Sequence, residues 1–276
     1  MTLAHMTTKR RMTDIVQQPG GPDQRNDKTR VRDLLLVALT VSTGAVDAVS
    51  WLGLGKVFSA FMTGNLVFLG FRAGGAAGPP IPRVLTAVAA FALGAVLAAR
   101  LVRRTQDDGE VWPRRVTLAL ATALLAQAAF LGAWTSVGGQ PSSRAGDLLI
   151  ALSALAMGIQ TTAVFSLGVR AVFTTAATAT LAIFMGDLSG WAQSSGERRR
   201  LFAVTVGLFA GAVIGGVLVE HARNWAPVFP LAVTALVVTA AALSFVSPPS
   251  ADRFTAPLSR RFRTSKRTAD PVGTAR

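Results

Sequence analysis

Asp47 stands alone as an acid inside the apolar run "LLLVALTVSTGAVDAVSWLGLG" (34–55), more than two helical turns from either end. A carboxylate placed there costs at least about 2.5–3.5 kcal/mol on membrane-insertion scales, so something must neutralise, pair or hydrate it. Three chemistries fit: a proton carrier, a cation site, or a binding group for a cationic substrate. The structural alternative is an acid satisfied by neighbours, or one kept protonated. Shortly afterwards, Thr63, Gly64 and Asn65 offer polar groups where a short helix could break, so that Asn65 either lines a cavity or bonds a neighbouring helix. Lys56 lies between them, as a partner for Asp47 or as a side chain snorkelling to the surface.

The elements that must position these residues are apolar helices. The chain has 276 residues, of which 51% are hydrophobic and 15% charged. Further apolar runs occupy 84–102, 116–134, 148–168, 201–219 and 228–246. Each approaches or exceeds the roughly 18 residues a bilayer-spanning helix needs. The fold class is therefore all-α, a polytopic transmembrane helical bundle. The net charge of +14 sits in the tails and short connections, where it sets topology and meets anionic lipid headgroups rather than nucleic acid.

The chain also resembles itself. Asp33 and Gly44 recur 114 residues later as Asp147 and Gly158, and the run from Ala48 to Leu66 recurs, one residue further on, between Ala163 and Leu181. Gly94, Ala95 and Val96 match Gly211, Ala212 and Val213. This predicts two tandem repeats, 33–135 and 136–247, between basic disordered tails at 1–32 and 248–276. Each repeat holds four apolar segments, and the second of each is short and rich in Gly, Thr or Ser: 57–71 and 172–188.

Basic residues decide whether these short segments cross. If they do not, the connections carry nine Lys or Arg on the cytoplasmic side and five outside; if they do, six and eight. The positive-inside bias favours six long spans plus two short segments, both termini cytoplasmic, with three crossings per half inverting one repeat relative to the other.

The repeat places Gln160 and Thr161 where Asp47 sits, and Thr178 and Thr180 opposite the Thr63–Asn65 break, as transport or binding candidates. Gln127 reads as a helix-to-helix contact; Asp187, Glu220 and His221 lie at segment ends. The ridges Ala90–Gly94–Ala98 and Gly207–Gly211–Gly215 read as helix packing, since small residues let backbones approach closely in lipid. The histidines are His5 and His221 and there is no cysteine, so no metal, cofactor or enzymatic site is expected.

The stretch "GAVDAVSWLGLGKVFSAFMTGN" (44–65) resembles the YoaK-type family of bacterial integral membrane proteins of unknown function. The resemblance rests on Gly44, Asp47, Phe58, Met62, Thr63, Gly64 and Asn65, with Ser59, Ala60 and Phe61 filling the Phe-to-Met spacing. In the second half, "MGIQTTAVFSLGVRAVFTTAATATLA" (157–182) departs from the family pattern, with Thr161 where Asn is expected and Ala179 within the expected Thr-Gly-Thr. The resemblance implies an inner-membrane protein and supplies no activity. Two readings stay open: a small-solute or ion transporter using Asp47, and a membrane scaffold or sensor subunit whose polar residues lock helices together.

Overall fold

The structure is a computed structural model that describes residues 22–103, 110–169, 185–186 and 195–245. Among these it is all helical: α1 (Pro22–Gly53), α2 (Met62–Ala73), α3 (Ile81–Val102), α4 (Arg114–Ser136), α5 (Ser143–Phe165), α6 (Ser195–His221) and α7 (Val228–Phe245), with a short 3-10 turn at Arg223–Trp225. Among the described residues, six stretches are long and apolar enough to span a bilayer: Asn26–Gly53, Ile81–Val102, Arg114–Ser136, Ser143–Phe165, Arg199–His221 and Arg223–Phe245. At 1.5 Å per residue, 22 or 23 residues cover the roughly 30 Å hydrocarbon core. Their outward faces carry Leu93, Leu125, Phe209, Val213, Leu236 and Leu243, all exposed, as lipid contact requires.

The first helix begins at Pro22, inside the stretch expected to be a tail. Proline is tolerated at a first helical position because its missing N–H would be unpaired there anyway. Further along, Asp33 on this polar extension is held by Arg32 and by Arg200 of α6 at 2.9 and 3.1 Å. The second short segment lies almost wholly outside the described residues, as do Thr178 and Thr180.

Backbone-to-backbone glycine contacts set the helix pairing. A Cβ on Gly44 would strike Leu208 O of α6; one on Gly211 would strike Val41 O, and one on Gly215 would lie 2.7 Å from Ala45 O. The α3–α5 pair repeats the arrangement: a Cβ on Gly94 would meet Leu155 O and one on Gly158 would meet Phe91 O. Of the two ridges, Gly211, Gly215 and Gly94 therefore sit at close crossings, Gly207 leaves a Cβ ordinary contact with Val37 and Val41, Ala98 is buried and Ala90 packs from the side.

Contact order along each pair fixes direction. Asp33–Arg200, Val37–Gly207, Val41–Gly211 and Ala45–Gly215 advance together, so α1 and α6 run parallel. Arg83–Asp147 and Phe91–Gly158 advance together, so α3 and α5 run parallel. Across the bundle the order reverses. Gln160 of α5 bonds Leu39 O and Thr43 of α1, while Leu54, at the far end of α1, shares Arg83 with Ser143 and Asp147 at the start of α5. Helices α1 and α5 are thus antiparallel. Between them lie α2, α3 and α4, and an antiparallel outcome requires an even number of crossings among those three. α3 and α4 supply two, which leaves α2 entering and leaving at one end of the bundle.

Candidate functional site: a break held by Asp47, Ser50 and Asn65

After Gly53 the chain reverses. Gly55 and Lys56 both adopt left-handed φ, 88° and 60°, and Lys56 N donates to Trp51 O at 3.1 Å. Glycine is suited to position 55 on two counts: the backbone is left-handed, and a Cβ would lie 2.5 Å from the Arg83 guanidinium. Lys56 is exposed at this turn and makes no ion pair with Asp47.

Residues 57–60 then run back beside α1 without regular secondary structure, and α2 climbs out again from Met62. The order of contacts records the dip. Trp51 stacks on Phe58 at 4.8 Å, Asp47 meets residues 59 and 60 one turn deeper, and Phe68 returns to Trp51 at 5.5 Å. From Leu54 to Asp47 is about 10 Å along the helix axis at 1.5 Å per residue.

Backbone exposed at that depth must find partners, because hydrocarbon offers none. Three side chains provide most of them. Asp47 Oδ1 accepts the N–H groups of Ser59 at 2.9 Å and Ala60 at 2.8 Å. Asn65 accepts from Phe58 N at 3.0 Å and donates to Phe58 O at 2.7 Å, imitating a strand partner for one residue. Ser50 donates to Val57 O at 2.7 Å and receives the Ser59 hydroxyl at 3.0 Å. Met62 N closes on Ala60 O at 3.0 Å.

Asp47 and Asn65 stand out in the sequence but their shared task does not, and neither Ser50 nor Ser59 is among the residues expected at a site. A signal was available: Asp47 and Ser50 are three residues apart on one helix face, and Ser59 and Asn65 flank the same non-helical stretch. Gly64 is buried, with a hypothetical Cβ 2.6 Å from the Phe61 ring, whereas Thr63 is exposed and takes no part.

Gln160 and Thr161 do not join this site. Gln160 Nε2 donates to Thr43 Oγ1 at 3.0 Å, one turn before Asp47, and Thr161 Oγ1 is buried without a partner. A single arginine ties the mouth of the break to the bundle. Arg83 donates to Asp147 at 2.9 Å, Leu54 O at 3.2 Å and Ser143 O at 3.1 Å. Arg83→Ala therefore lowers stability by about 1–3 kcal/mol in thermal unfolding, and Arg83→Lys recovers only part, since an ammonium cannot reproduce the guanidinium fork.

A recess opens between α1, α4, α5 and the start of α7, lined by Val46, Val49, Gln127, Phe130, Ser153, Met157, Pro227, Pro230 and Leu231. It does not include Asp47. Val46 and Met157 instead join it to the break, because they share one buried cluster with Ala60.

Residues 35–240 match the family model "Protein of unknown function (DUF1275)". The chain belongs to this family. Over 164 residues it is 36% identical to the UPF0700 transmembrane protein YoaK of Bacillus subtilis (strain 168), covering 58% of this chain and 68% of the relative. No solved structure matches. This member of the family is a bacterial membrane protein whose six long apolar helices meet the bilayer.

Proposed function

We propose that this protein is a small-solute or ion transporter of the bacterial cytoplasmic membrane, built from two inverted halves with both termini cytoplasmic. The observation that carries the reading is the break at 54–61, an irregular segment at membrane depth whose amides converge on a carboxylate without a basic partner among the described residues. Such segments are tolerated where they are buried in protein or line a pathway, and paired broken segments are how many transporters build their sites.

Reciprocal pairing supports the duplication. Asp33 with Arg200 and Asp147 with Arg83 are the same bridge made twice, each between the first long span of one half and the second long span of the other. The glycine crossings Gly44–α6 and Gly158–α3 follow the same exchange. Antiparallel α1 and α5 accord with three crossings per half, and the basic residues around 100–115 then fall on the cytoplasmic side.

In this mechanism the charged carboxylate holds residues 59 and 60 in place. Arrival of a proton or cation weakens its grip on those amides, because a neutralised carboxyl is a poorer acceptor. The break then shifts against Val46 and Met157. Asp47→Asn isolates that charge, since a carboxamide oxygen still accepts both N–H groups. In proteoliposomes, flux driven by a proton or cation gradient falls at least about tenfold in Asp47→Asn while the protein stays folded. Unchanged coupled flux removes Asp47 from the mechanism.

A scaffold or sensor subunit is the second reading. It is favoured by one observation: Asp47 Oδ1 and the Asn65 amide are both engaged with the loop's own backbone. On that reading Asp47→Asn changes stability slightly and no flux is found in the parent protein.

A further inference from the structure

Helices α1 and α6 meet backbone to backbone. A Cβ on Gly44, Gly211 or Gly215 would strike the partner helix at Leu208, Val41 or Ala45, and Asp33 bridges to Arg200 at the start of the same pair. Helices α3 and α5 are locked in the same way, through Gly94 against Leu155, Gly158 against Phe91, and the bridge from Arg83 to Asp147. A gap of about 0.5–1 Å already forfeits a quarter to a half of each van der Waals contact, so parting either pair is costly along its whole length.

The seam between the two pairs is built differently. Where α1 and α5 cross, side chains stand between the backbones. Gln160 donates to Thr43 Oγ1 at 3.0 Å, Leu36 and Leu39 share a buried cluster with Ile159 and Ala163, and Met157 shares another with Val46. Such an interface can repack as helices shift. Its polar ties are uneven. At the mouth of the break Arg83 holds both pairs at once, α5 through Asp147 and Ser143 O, and α1 through Leu54 O. At the other end both bridges of Asp33, to Arg32 and Arg200, stay within α1–α6. Between these ends Gln160 is fully buried with its Oε1 unpaired, and Thr161 Oγ1 is unpaired as well. Water entering there would pair both oxygens, which favours a state with the seam open.

We propose that the bundle moves as two rigid pairs, α1–α6 against α3–α5, and that the seam between α1 and α5 opens at the end carrying Asp33, bringing water to Thr43, Gln160 and Thr161. Asp47, one turn beyond Thr43, then meets water from the side opposite the mouth of the break. The inference rests on the transport reading for its purpose, since it supplies the second opening that alternating access needs, while the motion itself is measured without any flux. On the reading of two duplicated halves, each pair takes one helix from each half, so the moving bodies are not the halves themselves.

The test uses the full chain in lipid nanodiscs. The chain has no cysteine, so nitroxides go on cysteines placed two at a time at the exposed positions Leu34 (α1), Val206 (α6), Leu97 (α3) and Phe165 (α5). Distances are read by continuous-wave and pulsed electron spin resonance. Within the pairs, Leu34 to Val206 and Leu97 to Phe165 each give one narrow distribution. Between them, Leu34 to Leu97 and Phe165 to Val206 carry a second, longer component. Thr43→Val keeps the side-chain shape but removes the acceptor of Gln160, and it enlarges that component about fivefold, as loss of one hydrogen bond across the closed seam requires. If Thr43→Val does not fold, Thr43→Ala takes its place. Lengthening within the pairs while the between-pair distances hold makes the halves the moving bodies and overturns the proposal. Four single distributions, unchanged by the substitution, overturn it too. Flux is scored separately: a between-pair component without flux removes the transport reading and leaves this motion, whereas flux with four fixed distances does the reverse.

Discussion

Asp47→Ala destabilises the protein by about 2–4 kcal/mol, whereas Asp47→Asn stays within about 1 kcal/mol of the parent, as read from denaturant or thermal unfolding in detergent. The difference follows from what Asp47 Oδ1 does. Alanine leaves Ser59 N–H and Ala60 N–H without their acceptor in a segment walled by Trp51, Phe58 and Met157. Each amide stranded this way costs about 1–3 kcal/mol, and water reaching the break offsets part of the sum. Asparagine keeps an oxygen at the same position. An Asn65→Ala companion loses both bonds to Phe58 and falls in the same range. Equal stability of Asp47→Ala and the parent would mean that the break does not depend on the carboxylate.

The largest expected effect belongs to the glycine crossings. Gly94→Leu or Gly211→Leu prevents recovery of a monodisperse folded protein, because the added side chain meets backbone rather than a movable side-chain tip. At Gly94 the obstacle is the α5 backbone at Leu155 and Ile159; at Gly211 it is α1 at Val41. Overpacking by a methylene typically costs about 1–3 kcal/mol where neighbours can adjust. Here two helices would have to separate along their length. Gly132→Leu is the control: nothing lies within 4 Å of a Cβ there, and it leaves yield and elution unchanged. Size-exclusion profiles of the three variants, prepared side by side, decide the matter.

How much of this was legible beforehand differs from element to element. Six spans follow from apolar length alone, because lipid forces every backbone group into a helix and leaves little room for other solutions. Asp47 and Asn65 were conspicuous as polar residues among apolar ones. Their pairing with Ser59, Ala60 and Phe58 was not, since a hydrogen bond to backbone depends on where an irregular segment folds back. Ser50 was invisible for a related reason: serine is common in transmembrane helices and carries no signal until Val57 lies against it. The two ion pairs were half visible. Asp33 and Asp147, 114 residues apart, stand out in the sequence, but Arg83 and Arg200, 117 residues apart, join them only in the structure, where Arg200 holds Asp33 and Arg83 holds Asp147. Thr63 misled, because a short polar triplet gives no indication of which member faces inward.

The measurement that bears most directly on the central claim is sidedness. The chain has no cysteine, so single cysteines at Lys56, Arg72, Arg144 and Arg103 report cleanly to a membrane-impermeant maleimide in oriented membranes. If residues 54–80 enter and leave at one end of the bundle, 56, 72 and 144 are labelled from one side and 103 from the other. Labelling of 56 and 72 from opposite sides would make α2 a crossing helix and contradict the account at its root.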